Sequence, residues 1–190
     1  YSAMVQKAFA KLKGVDINII CPSHGPVWRQ DPMKVVGLYD KWSKFESEEG
    51  VVIVYASMYG NTEKMADYVA RLIAERGVKN IKIHDVSKTH VSFIINDIWK
   101  YKSVILGSCA YNSFMHPMMT HLCHELEIVN PKDKNYALFG SYSWNGGGVK
   151  YLELFAEKMS WNLVAPPVEL IGAPDEQKME GFSEIADKIL

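Results

Sequence analysis

Cysteine is scarce in this chain: Cys21, Cys109 and Cys123 are the only three in 190 residues. They cannot pair completely and none stands in a CxxC pair, so a disulfide framework, an iron–sulfur ligand run and thioredoxin-like chemistry have no sequence support. The small number fits a reducing cytoplasm, the expected location. Excess charge of either sign is also missing. Lys and Arg number 21 against 22 Asp and Glu, a formal net charge of -1. That balance lacks the basic footprint of a dedicated nucleic-acid binder or a polybasic membrane anchor. Apolar stretches reach only about four to six residues, far short of the roughly 20 that span a bilayer. The opening YSAMVQKAF has neither the apolar run nor the cleavage site of a secretory leader. The expectation is a chain that works in water, with no nucleic-acid or membrane partner. Its 48% hydrophobic and 23% charged residues are those of an ordinary globular protein. The length allows one domain and an attached piece.

Strand and helix patterns alternate from Val51 onward. Val51–Tyr55 is a β-branched apolar run suited to a strand covered on both faces. Met65, Val69, Leu72 and Ile73 then recur at helical spacing, with Asn61 or Thr62 available to cap the start and Gly77 to end it. Residues 81–84 and 103–106 read as further strands and 136–139 as a fourth. A fifth strand lies within 162–171, broken or bent by Pro166-Pro167, whose missing donors favour an edge. Between them run helical faces of Val91, Ile94, Ile95 and Ile98, then Met119, Leu122, Cys123 and Leu126, then Val149, Leu152, Phe155 and Met159. A closing helix over 175–190 buries Met179, Phe182, Ile185 and Ile189. Apolar strands joined by amphipathic helices predict a five-stranded parallel sheet in a three-layer α/β/α sandwich, because right-handed crossovers place helices on both faces.

Residues 1–49 fall outside this repeat. Val5, Ala8, Phe9 and Leu12 make one helical face, 17–20 is a short apolar strand, and Cys21–Pro26 is a tight loop. Asp31-Pro32 is a cap-plus-first-turn signal for a second helix to about Trp42. A helix, a lone strand and a loop cannot close a sheet. This segment therefore reads as the end of a preceding domain, or else as an extension packed on a sandwich formed by 50–190.

In an open parallel sheet, ligands bind outside the carboxyl ends of the strands near the point where strand order reverses. Three loops fall there. The first, Ser57-Met58-Tyr59-Gly60-Asn61-Thr62, joins a strong strand to a strong helix; Gly60 permits a tight turn, and the helix start favours an anion such as a phosphate. Its lack of Lys and of a GxGxxG pattern disfavours Walker A and dinucleotide sites. Alternatively, these residues only form a turn and cap. The second loop is Ser108-Cys109-Ala110-Tyr111-Asn112; the third is Ser141-Tyr142-Ser143-Trp144-Asn145-Gly146-Gly147-Gly148. Tyr59, Tyr111, Tyr142 and Trp144 suit a flat amphipathic ring with one polar edge, a description that an isoalloxazine meets.

Cys109 reads as a small pocket-lining residue rather than a redox thiol, since sequence places no second cysteine or base beside it. His116, His121, His124 and Glu125 invite a metal reading but lack the HExxH register, so solvent-facing or interface roles are preferred.

The segments VVIVYASMYGNTEKMA, GSCAYNSFMHP and FGSYSWNGGGVK resemble the flavodoxin-like domain of the flavodiiron (A-type flavoprotein) family. ICPSHGPVWR resembles the end of that family's metallo-β-lactamase-like domain. The resemblance implies flavin mononucleotide (FMN) held by Ser57–Thr62 around its phosphate, and by Ser108–Asn112 and Ser141–Gly146 near the ring. It makes His24 the last histidine ligand of a two-iron centre present only in the intact parent protein. No side chain is implied as acid, base or nucleophile. Intact members are oxidoreductases that pass electrons from rubredoxin, a reductase or a reduced deazaflavin coenzyme through FMN to iron, reducing dioxygen to water or nitric oxide to nitrous oxide, as head-to-tail dimers. Cys109-Ala110 stands where Pro-Thr is common and Ser143 where Gly is common, which bears on ring contacts and potential. The alternatives are a stand-alone flavodoxin-type carrier or quinone reductase, and a non-enzymatic binding domain on the same sheet edge.

Overall fold

The computed structural model describes residues 1–175 and 177–190, in two compact units, Tyr1–Ser47 and Glu48–Leu190. The first unit holds α1 (Ser2–Leu12) and α2 (Pro32–Ser43). Gln6 ties them together, donating through its amide to Asp40 Oδ1 (2.8 Å) and to the Ser43 hydroxyl (2.7 Å). Neither helix has a buried residue. The strand expected over 17–20 is reduced to one antiparallel bridge, Ile20 with Trp28. Pro22 and Pro26, which lack amide donors, lie between the two and bar an inward extension of the ladder. Asp31 does precede α2 and Pro32 opens it, but Asp31 adopts φ 47° and makes no side-chain cap bond.

The second unit is an α/β sandwich. Its strands are β1 (Glu48–Ala56), β2 (Ile81–Asp85), β3 (Tyr101–Tyr111), β4 (Phe114–Met115), β5 (Asn135–Tyr142), β6 (Asn162–Leu163) and β7 (Val168–Ile171). Parallel pairing gives the order β2-β1-β3-β5, with β6 and β7 both beside β5. The fifth strand position is thus shared by two short pieces, with the donor-less Pro166-Pro167 in the gap between them. The last helix is shorter than the expected 175–190: α7 is Gly181–Lys188. Asp175 Oδ1 instead accepts the Lys178 amide at 2.9 Å, a local turn that competes with helix; Glu176 lies outside the described residues. Two further differences lie near the carboxyl edge. Strand β3 runs five residues past its predicted end at 106, and β4 returns antiparallel on it, Ala110 opposite Met115 and Tyr111 opposite Phe114.

Alternation along the strands builds two cores. Val52, Val54, Val104, Leu106, Tyr136 and Leu138 pack with α4 (Val91–Lys100), α5 (Pro117–Val129) and α6 (Gly148–Met159). Val51, Ile53, Ile105, Ala137 and Phe139 face α3 (Asn61–Glu75) and α7 on the other side. Burial on both faces explains why these strands read as continuous apolar runs. The chain leaves β1 toward β2 on one side and returns to β3 on the other. The carboxyl ends of β1 and β3 therefore flank a crevice at the reversal of strand order.

Candidate functional site

Loop 1 leaves β1 and turns at Gly60. Its φ of 84° is accessible to glycine at little cost, and its amide donates to Ser57 Oγ at 3.0 Å. Asn61 and Thr62 were candidates for the cap, but they occupy the first turn of α3 and Gly60 is the cap. A glycine cap has no side chain to satisfy the leading amides. The positive end of the α3 dipole therefore meets a cavity lined by Asn61 and Thr62 without a side-chain acceptor from Gly60. Thr62 is wholly buried and Ser141 is 5% exposed; their hydroxyl oxygens stand 2.9 Å apart.

Loop 2 is the β3–β4 hairpin. Asn112 and Ser113 both have positive φ, 48° and 59°, as a two-residue turn matched to strand twist requires. Ser108, expected at the site, is buried beneath it. Its hydroxyl donates to Cys109 O and accepts the His116 amide, each at 2.9 Å, fixing the base of the hairpin. His116 precedes α5 and caps it, Nδ1 accepting from the Met118 amide at 3.2 Å. Burial holds the His116 pKa below its ordinary value, with Asp85 opposing, which agrees with a neutral acceptor ring. The same ring stands edge-on to Tyr111 at 6.3 Å. Burial pushes the Cys109 thiol up, keeping it protonated and unreactive at neutral pH.

Loop 3 leaves β5 and is laid against loop 2 by glycines. A Cβ on Gly147, whose φ is 140°, would lie 2.3 Å from Ser113 O, and one on Gly148 would lie 2.8 Å from Ser108 O. Gly146 is set against the Glu169 carboxylate rather than against the cavity.

The three loops enclose one cavity of about 380 Å³. Of the predicted residues, Ser57, Met58, Tyr59, Asn61, Thr62, Cys109, Ala110, Tyr111, Asn112, Ser141, Tyr142, Ser143, Trp144 and Asn145 line it; Gly60, Ser108 and Gly146 instead shape the loops around it. Ser113 lines it too and was missed. The Asn-Ser pair after an apolar strand was its available signal, as a hairpin turn. Among the described residues, no Lys or Arg lines the cavity. Tyr59 and Trp144 are 86% and 90% exposed at its mouth, where they lack protein cover. Such an arrangement can receive one anionic group at the amides of α3 and one flat amphipathic ring among the aromatic side chains.

Among the described residues there is no group of three or more His, Cys, Asp or Glu that could hold an ion. His24 is exposed in the first unit, His121 and His124 are exposed on α5, and His116 is used as a cap. Nor is any helix among the described residues long and apolar enough to cross a membrane.

Comparison with known proteins agrees with the architecture. Rubredoxin oxygen:oxidoreductase from Desulfovibrio gigas superposes on all of this chain with a TM-score of 0.93 at 28% identity, the match covering 48% of that chain. A flavodiiron protein from Giardia intestinalis gives a TM-score of 0.87 at 21% identity, a likeness of fold, over 99% of this chain and 47% of its own. In sequence, an anaerobic nitric oxide reductase flavorubredoxin of Escherichia coli is 33% identical over 155 residues, 80% of this chain and 32% of that protein. An uncharacterised protein of Methanocaldococcus jannaschii is 28% identical over 190 residues, covering 100% of this chain and 48% of its own length. The chain thus spans about half or less of the length of each of these four proteins. Residues 53–184 match the family model described as Flavodoxin, and the chain belongs to the flavodoxin family.

Proposed function

We propose that the unit of residues 48–190 binds one FMN and serves as the electron-transfer part of a flavodiiron oxidoreductase. The observation that carries this reading is the single cavity to which three loops contribute, with a glycine-capped helix start on one side and exposed aromatic side chains on the other. The residues present fit the group: the amides of the first turn of α3 and the Thr62 hydroxyl suit a phosphate, and Tyr59, Tyr111, Tyr142 and Trp144 suit a flat ring. Bound there, FMN would supply the one- and two-electron redox chemistry. The chain's own residues bind and orient. Gly60 leaves the α3 amides uncapped, the hairpin fixed by Ser108 and His116 presents Tyr111, and Gly147 seats the third loop. Tyr59 and Trp144 would exchange solvent for ring contact.

The likeness to rubredoxin oxygen:oxidoreductase supports a reduced redox partner such as rubredoxin as the donor; a flavin reductase or a reduced deazaflavin coenzyme is the alternative. In the intact parent the reaction would be reduction of dioxygen to water or of nitric oxide to nitrous oxide, with paired subunits joining FMN to the iron centre. We assign Tyr1–Ser47 to the end of a metallo-β-lactamase-like domain with its linker, and His24 to that domain's metal set. One imidazole does not fit a two-iron centre, so the residues of this chain carry no step through it. The test is fluorescence titration of FMN into the purified chain and its Gly60→Val and Thr62→Ala variants. One equivalent bound, with affinity reduced in both variants, is expected; unchanged affinity in both would refute the phosphate assignment.

A further inference from the structure

Resting on the FMN reading, we infer that Ser141 sets affinity for the phosphate by fixing the direction in which the Thr62 hydroxyl donates. By sequence, Ser141 belongs to the ring-side loop. In the structure its side chain reaches across to the first turn of α3, 79 residues away, and its Oγ lies 2.9 Å from Thr62 Oγ1 with both groups buried. Each hydroxyl owns one proton, and the pair shares one hydrogen bond. If Thr62 donates to Ser141, its oxygen presents only lone pairs to the cavity and repels an anion. If Ser141 donates to Thr62, the Thr62 proton is released toward the cavity, and its oxygen is polarised by the bond it accepts. Only the second arrangement gives an anionic oxygen at α3 the Thr62 proton. Among the described residues, no Lys or Arg lines the cavity. The anion therefore has only neutral donors, the Ser57, Asn61 and Thr62 side chains and the helix amides, and the direction of this one bond decides whether Thr62 is among them.

Ser141 is thus a positioning residue that acts through Thr62, and its effect depends on the ligand's phosphate. The experiment compares FMN with riboflavin, which has the same ring and no phosphate, in the wild-type chain and in Ser141→Ala, Thr62→Val and the double variant. The ratio of the FMN and riboflavin association constants is expected to fall on the order of tenfold in Thr62→Val, the worth of one bond to a charged group. It should fall about threefold in Ser141→Ala, where Thr62 keeps its proton but loses the bond that aims and polarises it. Riboflavin affinity should fall less than FMN affinity does. In the Thr62→Val background, adding Ser141→Ala should leave the ratio unchanged, because the group it acts through is gone. Equal losses for both ligands in Ser141→Ala would overturn the inference in favour of a merely structural role, as would no loss or an independent loss in the double variant. A wild-type chain that binds neither ligand, or binds both equally, would overturn the FMN reading itself.

Discussion

Replacing Gly147 with alanine tests whether the second and third loops form one wall. Two costs arise. The residue sits at φ 140°, a conformation that side chains rarely adopt, and strain of this kind costs about 1–3 kcal/mol. The new Cβ would also meet Ser113 O at 2.3 Å, the Ser113 carbonyl carbon at 2.6 Å and the Phe114 amide at 3.2 Å. These are backbone atoms of the hairpin turn, so no side chain can swing aside, and displacing them adds about 1–3 kcal/mol. Partial relaxation should bring the total to about 2–4 kcal/mol, read as a lower urea midpoint at unchanged slope. Gly77→Ala is the control: φ is 88° there too, but nothing lies within 4 Å of the new Cβ and the position follows the far end of α3. It should cost only about 1 kcal/mol and leave FMN affinity alone, whereas Gly147→Ala should weaken binding because the displaced atoms belong to cavity-lining Ser113. Equal stability losses in the two variants, or a Gly147→Ala chain binding FMN as tightly as wild type, would refute the packing of loop 3 on loop 2.

Gly107→Ala should unfold the unit or cost several kcal/mol, since its Cβ would fall 2.1 Å from the Phe139 ring in the middle of the sheet, as circular dichroism melting would show. Lys134 is buried with Nζ donating to Trp99 O and Tyr101 O, and burial, aided by Lys102, lowers its pKa from 10.5 to about 8. In that window the unfolded chain binds the proton that the folded chain has lost, so stability should rise by about 2 kcal/mol between pH 8 and 10.5. Denaturation of Lys134→Met across the same range should lack most of that rise. A thiol reagent at pH 8 should label exposed Cys21 first, then Cys109 slowly and more slowly still with FMN present, while Cys123, buried and pushed strongly upward, stays unlabelled in the folded chain. Equal labelling rates for the three would contradict their burial.

The sheet was legible because its strands are covered on both faces. Runs such as Val51–Tyr55 admit few other structures, and helical spacing located every helix of the sandwich, though not the start of α7. The errors have local causes. Residues 17–20 have the composition of a strand, but strands need partners, and composition alone supplies none. The start of α3 was misread because capping statistics favour Asn and Thr, whereas Gly60 takes the cap at positive φ. The gathering of three loops around one cavity followed from the rule for parallel sheets. Ser108 illustrates what a linear reading does not reach: it belongs to a site loop, yet its hydroxyl is spent on Cys109 O and the His116 amide, a use set by a hairpin whose second strand has only two residues. The Thr62–Ser141 bond likewise joins residues far apart in sequence, and neighbour patterns do not encode it.

The placing of FMN meets its sharpest check in a crystal structure of the chain grown with that flavin. Density is expected for one molecule, its phosphate within hydrogen-bonding distance of the Asn61 and Thr62 amides and its ring bordered by Tyr59, Tyr111 and Trp144. An empty cavity at saturating FMN, or a phosphate bound away from the start of α3, would contradict that placing.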